Sequence, residues 1–253
     1  MTVFYFSATG NSLYVAKTIG GKLYSIPQLL KDKQFNFEDD IVGFIFPIYS
    51  LGLPKIVQKF LENIKLKSTY TFAVGTYGNM HGPCMYNLSK DFIKKGWRLN
   101  YADAILMVDN YLPIFEMSNQ LNTVENKHID KHLKEIVDNI KNKKNSIPAI
   151  TIMERIFTAL VHSLLSKPLD GKSAQKYIIN ENCNKCGTCS KVCPTGNIEI
   201  EDKIIFGNVC ESCYGCVHLC PQNAIHLRNE KSNIRFRNEN ITLQEIIQSN
   251  SQR

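Results

Sequence analysis

The sequence predicts a doubly wound α/β sheet of parallel strands, followed by a small cysteine-dense α+β unit. Three observations carry this. Short apolar runs alternate with amphipathic helical patterns over residues 1–145, eight of the nine cysteines crowd into residues 183–220, and a small hydroxylated loop follows the first run. Strands alternating with helices favour right-handed crossovers and helices on both faces of one sheet. With 253 residues, 43% of them hydrophobic, the chain can build one large or two modest domains. That composition excludes the disordered, collagen-like and coiled-coil classes.

Taken in order, runs 3–6, 41–46, 70–75 and 104–108 are apolar, β-branched or aromatic, as strands buried on both faces require; 23–26 is a shorter candidate. Behind Pro54, which suits a first helical turn, Ile56, Val57, Phe60, Leu61 and Ile64 share one helical face. Met85, Leu88 and Phe92 share another, which Gly96 can end. Ile129, Leu133, Ile136, Val137 and Ile140 mark a third. These elements make a first domain of residues 1–145.

Residues 146–175 read as a helical join. Ile150, Met153, Phe157, Leu160, Val161 and Leu164 keep helical spacing until residues 167–172 break it. Few cations lie on its polar face, so packing between the two halves is favoured over a membrane surface. Residues 176–228 form the cysteine unit, and 229–253 a polar tail with a helical pattern at Leu243, Ile246 and Ile247. No apolar run approaches the roughly 20 residues that cross a bilayer. The first residues also lack a basic n-region and a cleavage site, which together predict a cytoplasmic chain.

Cys183-x2-Cys186-x2-Cys189-x3-Cys193-Pro194 recurs 27 residues later as Cys210-x2-Cys213-x2-Cys216-x3-Cys220-Pro221. This is the bacterial iron–sulfur run twice over, in which the fourth cysteine serves the other cluster. Three thiolates at i, i+3 and i+6 wrap a loop around three corners of a cube, leaving the fourth corner facing the opposite repeat. Zinc and disulfides compete less well. Zinc sites pair two Cys-x2-Cys units across a longer spacer, and eight clustered thiols in a chain this size need no staples.

After the first run, Ser7, Ala8, Thr9, Gly10, Asn11 and Ser12 lead into a helical pattern at Leu13, Val15, Ala16 and Ile19. A strand, a hydroxylated loop and a helix N-terminus together make an anion site, through outward N–H groups and the helix dipole. A plain turn and cap is the competing reading. Neither dinucleotide nor P-loop fingerprint is present, which leaves a phosphate monoester held without Mg²⁺. Two further loops, Pro47 to Pro54 and Thr76 to Pro83, follow strand carboxyl ends, where open α/β sheets bind ligands. Each sets a tyrosine among glycines, an aromatic face suited to a flat polar ring.

These three loops resemble the flavodoxin family over about 145 residues, and the cysteine runs resemble the dicluster bacterial-type ferredoxins over about 50. The whole chain resembles the flavodoxin–ferredoxin fusion proteins of anaerobes. The resemblance implies strand order 2-1-3-4-5 with FMN at the switch point. It implies that Ser7, Thr9, Gly10, Asn11 and Ser12 hold the FMN phosphate. Pro47, Ile48, Tyr49 and Ser50 would line one side of the ring, and Gly75, Thr76, Tyr77, Gly78 and Asn79 the other. Tyr49 is favoured over Tyr77 as the stacking side chain, since neither loop carries a Trp. One [4Fe-4S] cluster would take Cys183, Cys186, Cys189 and Cys220; the other would take Cys210, Cys213, Cys216 and Cys193. Strands at 177–179 and 224–227 would pair around them.

The net charge of +7 divides as +5 over residues 1–150 and +2 over 151–253, without a dense basic stripe. Two clusters at about −2 each and a phosphate near −2 would leave the loaded chain near +1. The basic excess therefore reads as a counterion for its own cofactors, not as a nucleic-acid surface. An electron-transfer protein joining a low-potential donor to a redox protein partner is the first functional reading. A flavin-dependent reductase fed by its own clusters, and a redox sensor, are the alternatives. Cys84 reads as a small core residue, His81 as solvated and His218 as surface-exposed; Asp109 and Tyr111 are candidates to cap the flavin site.

Overall fold

The structure, a computed structural model, describes residues 1–150 and 176–252. The predicted helical join therefore lies outside the described residues from 151 onward. Five parallel strands form the central sheet: β1 (Thr2–Tyr5), β2 (Lys22–Ser25), β4 (Ile41–Pro47), β6 (Tyr70–Tyr77) and β7 (Tyr101–Leu106). They lie in the order β2-β1-β4-β6-β7, which is 2-1-3-4-5 when only these five are counted. β3 (Asn36–Glu38) and β5 (Lys65–Lys67) pair separately at the periphery.

Successive side chains of a strand point to opposite faces, so an unbroken apolar run feeds two cores at once. Phe4, Phe6, Phe44 and Phe46 face one core, with α2 (Ile26–Asp32), α3 (Lys55–Asn63) and α4 (Cys84–Lys94) supplying Ile26, Phe60, Met85 and Phe92. Val3, Tyr5, Ile45 and Val74 face the other, against α1 (Asn11–Ile19) and α6 (Ile129–Lys141). Each fully buried Phe contributes on the order of 1.5–3 kcal/mol of transfer free energy.

The element boundaries move in instructive places. The last strand starts at Tyr101, earlier than the apolar run at 104–108 suggests, because its polar Asp103 is satisfied locally. Tyr101 Oη donates to Asp103 Oδ2 (2.7 Å) and the Ala104 amide to Oδ1 (2.8 Å). The 23–26 run ends as a strand at Ser25, whose hydroxyl accepts from the Gln28 amide and caps α2, with Pro27 in its first turn. Pro47, Thr76 and Tyr77, read from sequence as loop residues, close β4 and β6. A short α5 (Met117–Asn122) follows the sheet.

The cysteine unit is a duplication. β8 (Tyr177–Ile179), α7 (Thr188–Lys191) and β9 (Ile198–Ile200) recur 27 residues on as β10 (Ile204–Phe206), α8 (Gly215–His218) and β11 (Ile225–Leu227). β8 pairs antiparallel with β11, as the sequence suggests to within one residue, and β9 pairs with β10. The tail then returns to the first half. α9 (Leu243–Asn250), closed by a Thr242–Glu245 capping box, buries Ile246 in the α1 core. Tyr5 Oη meets Ser249 Oγ at 2.8 Å, and Asn250 Nδ2 donates to the Ser7 carbonyl at 2.9 Å. Among the described residues, no helix is long and apolar enough to cross a membrane.

Candidate functional site: two cysteine cavities beside a hydroxylated loop

The eight cysteines fall into two sets of four. One cavity, about 290 Å³, is lined by Cys183, Cys186, Cys189 and Cys220. The other, about 320 Å³, is lined by Cys193, Cys210, Cys213 and Cys216. In each, the fourth cysteine of one run stands with three from the other run. Four thiols around each cavity match the donor set of a [4Fe-4S] cube. Backbone amides already point at the sulfurs. Asn197 N donates to Cys193 Sγ (3.2 Å), Ala224 N to Cys220 Sγ (3.3 Å) and Ser212 N to Cys210 Sγ (3.4 Å). Both cavities mix buried and half-buried cysteines, and they differ in that Cys186 of the first is exposed.

The hydroxylated loop lies at the carboxyl end of β1. Gly10 occupies the N-cap of α1 at φ 105, and no side chain caps that helix. The first-turn N–H groups are thus left for an external anion. A side chain at position 10 would press on Asn238 Cβ at 2.9 Å, so glycine is required both by conformation and by space. Ser7, Thr9 and Ser12 are buried around it. Ser12 Oγ meets Thr76 Oγ1 at 2.8 Å, Asn110 Nδ2 donates to Thr9 Oγ1 at 2.5 Å, and Asn11 Nδ2 donates to the Val108 carbonyl at 3.1 Å. Buried hydroxyls and an uncapped helix start fit a phosphate monoester.

The two ring loops meet where the Ile48 amide donates to the Thr76 carbonyl at 2.8 Å. Tyr49 and Gly52 exchange backbone hydrogen bonds (3.0 and 2.9 Å) around Ser50 and Leu51, both left-handed. Ile48 turns its side chain into the core, where it packs with Met85. Gly75 and Thr76 lie inside β6, Tyr77 and Gly78 are half-buried, and Asn79 is exposed. Asp109 reaches Gly78, and burial raises its carboxyl above the usual range.

What joins the two halves is a shared wall. Tyr49 and Cys213 pack against the same apolar core. Glu211 Oε1 accepts from the Ile56 amide at the start of α3 (3.3 Å), and burial pushes its carboxyl up to about 7. Gly215 in α8 lies against the Ala8 carbonyl. Tyr111 and Tyr214 bring their rings to 5.5 Å. Sequence reasoning missed Asn110, Asn197, Glu211, Tyr214 and Asn238. A comparison of the two repeats position by position would have flagged Asn197, opposite Ala224.

His218 departs from its expected exposure. It is buried at 5% exposed, its Nε2 donates to the Asn110 carbonyl at 2.8 Å, and its Nδ1 accepts from the Phe236 amide at 3.1 Å. With both nitrogens engaged, it fastens the cysteine unit to the sheet and offers nothing to a cluster sulfur. Cys84 is the core residue expected, its thiol pushed up to about 12 by burial. His81 is half-buried, with Nδ1 2.8 Å from the Gly82 carbonyl and its ring edge-on to Tyr77 at 5.0 Å.

Comparison with known proteins agrees with this geometry. Residues 175–221 match the 4Fe-4S dicluster domain family. Over 98 residues the chain is 31% identical to Protein NrdI of Bartonella quintana (strain Toulouse), spanning 37% of this chain and 71% of that protein. The chain belongs to the NrdI family, with a 4Fe-4S dicluster domain fused to it. The fusion also resembles two solved structures. One is the Trp repressor binding protein of Bacillus subtilis, with 12% identity over 43% of this chain and 84% of that one, at TM-score 0.30. The other is the Flv1 flavodiiron core of Synechocystis, with 18% identity over 53% of this chain and 36% of that one, at TM-score 0.31. Scores this low add nothing to the fold already described. A flavodoxin-like domain joined to an iron–sulfur domain makes the fusion an electron-transfer protein of the flavo-iron–sulfur kind.

Proposed function

We propose that the fusion binds FMN and two [4Fe-4S] clusters and links a low-potential donor to a redox protein partner. The clusters supply one-electron chemistry, and FMN can hold one or two electrons. The observation that carries the reading is the shared wall: Cys213, of the second cavity, and Tyr49, of the first ring loop, border one apolar core. Around it, this chain's residues bind, orient and exclude water. Ser7, Thr9, Gly10, Asn11 and Ser12 would hold the phosphate, with Asn110 orienting the Thr9 hydroxyl. Tyr49 would border the ring, and burial holds its phenol well above the ordinary value, so it stays neutral at any working pH. Cys183, Cys186, Cys189 and Cys220 would hold the cluster nearer solvent, where a partner reaches exposed Cys186. Cys193, Cys210, Cys213 and Cys216 would hold the cluster against the sheet half.

Anaerobically isolated protein should contain about eight irons and one FMN per chain. Iron and flavin analysis with a redox titration checks this, and a zinc-only preparation defeats it. Replacing Thr9 with Asp should abolish flavin retention by setting like charge against the phosphate. Unchanged FMN affinity in that variant would place the phosphate elsewhere.

A further inference from the structure

The duplication allows the two cavities to be compared one position at a time, and they are not equivalent. Four residues after the fourth cysteine of each run stand Asn197 and Ala224. Their backbone amides behave alike, donating to Cys193 Sγ at 3.2 Å and Cys220 Sγ at 3.3 Å. Only the side chains differ. Asn197 lines the second cavity and is 4% exposed. Its Oδ1 accepts from the Val209 amide at 2.7 Å, which sets the amide's orientation. Its Nδ2 is buried without a hydrogen-bond partner. A donor so placed costs on the order of 1–3 kcal/mol if left unsatisfied, so a missing acceptor is the economical explanation.

A second paired position repeats the asymmetry. Six residues before the first cysteine of each run stand Tyr177 and Ile204, which line the second and first cavities respectively. Tyr177 Oη lies 3.5 Å from Cys210 Sγ, and its ring stacks on Phe206 at 4.7 Å and 16°. At these two paired positions the second cavity has the donors Asn197 and Tyr177 in its lining, where their counterparts Ala224 and Ile204 are apolar. The first cavity has its own hydroxyl at a third position, Thr188 Oγ1, 3.4 Å from Cys186 Sγ.

We propose that Asn197 is a positioning residue whose Nδ2 donates to a sulfur of the cluster in the second cavity and, with Tyr177, raises that cluster's reduction potential. The proposal rests on the two-cluster reading above. Reduction by one electron places more negative charge on the sulfurs, so a donor stabilises the reduced form more than the oxidised one. Burial alone would work in the opposite direction, since a desolvated cluster resists further negative charge. The donors would thus offset the setting of the cluster that lies against the sheet half.

The test is an anaerobic redox titration of the full holoprotein, followed by EPR of the reduced clusters, in wild type, Asn197→Ala and Tyr177→Phe. Asn197→Ala should lower one of the two midpoints so that reduction of that cluster becomes about tenfold less favourable, about 59 mV for one electron, and leave the other in place. Tyr177→Phe keeps the ring stacked on Phe206 and should lower the same midpoint by less. Two unmoved midpoints in Asn197→Ala at full iron content would overturn the proposal. If Asn197→Ala loses iron, Tyr177→Phe decides, and an unmoved midpoint there overturns it equally. Wild-type protein carrying fewer than about eight irons would instead sink the two-cluster reading on which the proposal rests.

Discussion

The sheet half and the cysteine half hold their sites by opposite means. In the first half, the hydroxylated loop rests on five strands whose two faces are closed by fully buried aromatics, among them Phe4, Phe44 and Phe72. The site there is a consequence of a core that stands without a ligand. In the second half, strands of three residues and helices of four surround the cavities, and cysteines Cys189, Cys193 and Cys216 are themselves members of the apolar core. The site is the core. A unit this small needs a metal to fold, whereas a long chain with two packed faces does not.

Iron removal gives the largest contrast. A chelator under anaerobic acid should abolish amide protection in β8–β11 while β1, β4 and β6 stay protected, as read by hydrogen exchange. Retained protection in β8–β11 would end the comparison. The tail sharpens it next, because it follows the cysteine half in sequence but serves the sheet half in space. Ile246 is fully buried against α1, so Ile246→Ala should cost about 2–5 kcal/mol. The loss should appear as a lower Tm of the sheet half, with iron content unchanged.

A small effect, confined to the sheet half, concerns His132 and Asp103, 3.4 Å apart between α6 and β7. The hydrogen bond that His132 Nε2 donates to the Asp103 carboxylate raises His132 above its ordinary 6.5. Burial pushes Asp103 up, but hydrogen bonds from His132, Tyr101 and Ala104 outweigh it, leaving the carboxyl below 3.8. The histidine's contribution is complete below pH 6.5 and is lost as pH rises through its folded value. The aspartate's is complete above pH 3.8 and is lost as pH falls. His132→Gln should therefore lose most stability between those limits and converge on wild type in mild alkali. The pair is partly exposed, so the difference should stay below about 1 kcal/mol. Urea titrations across pH measure it, and a constant difference across the range would refute the pairing.

Much of this was legible before any coordinates. The two cysteine runs were legible because their spacing repeats over a short stretch of chain, and strands buried on both faces betray themselves as unbroken apolar runs. β7 was harder to place, since Asp103 looks polar until its partners are known. His218 looked exposed for the same reason: the Asn110 carbonyl and the Phe236 amide that hold it are 108 and 18 residues distant along the chain.

From the order of residues alone came the sheet, the duplication, the eight thiols and the loop that starts α1, because periodicity and short-range spacing act within a few turns of chain. Only the tertiary structure revealed that Asn238 covers Gly10, that Asn250 ties the tail to Ser7, and that Cys213 and Tyr49 share a wall. Those contacts join segments more than a hundred residues apart, and they form only when burying both apolar surfaces outweighs the entropy of bringing such distant segments together.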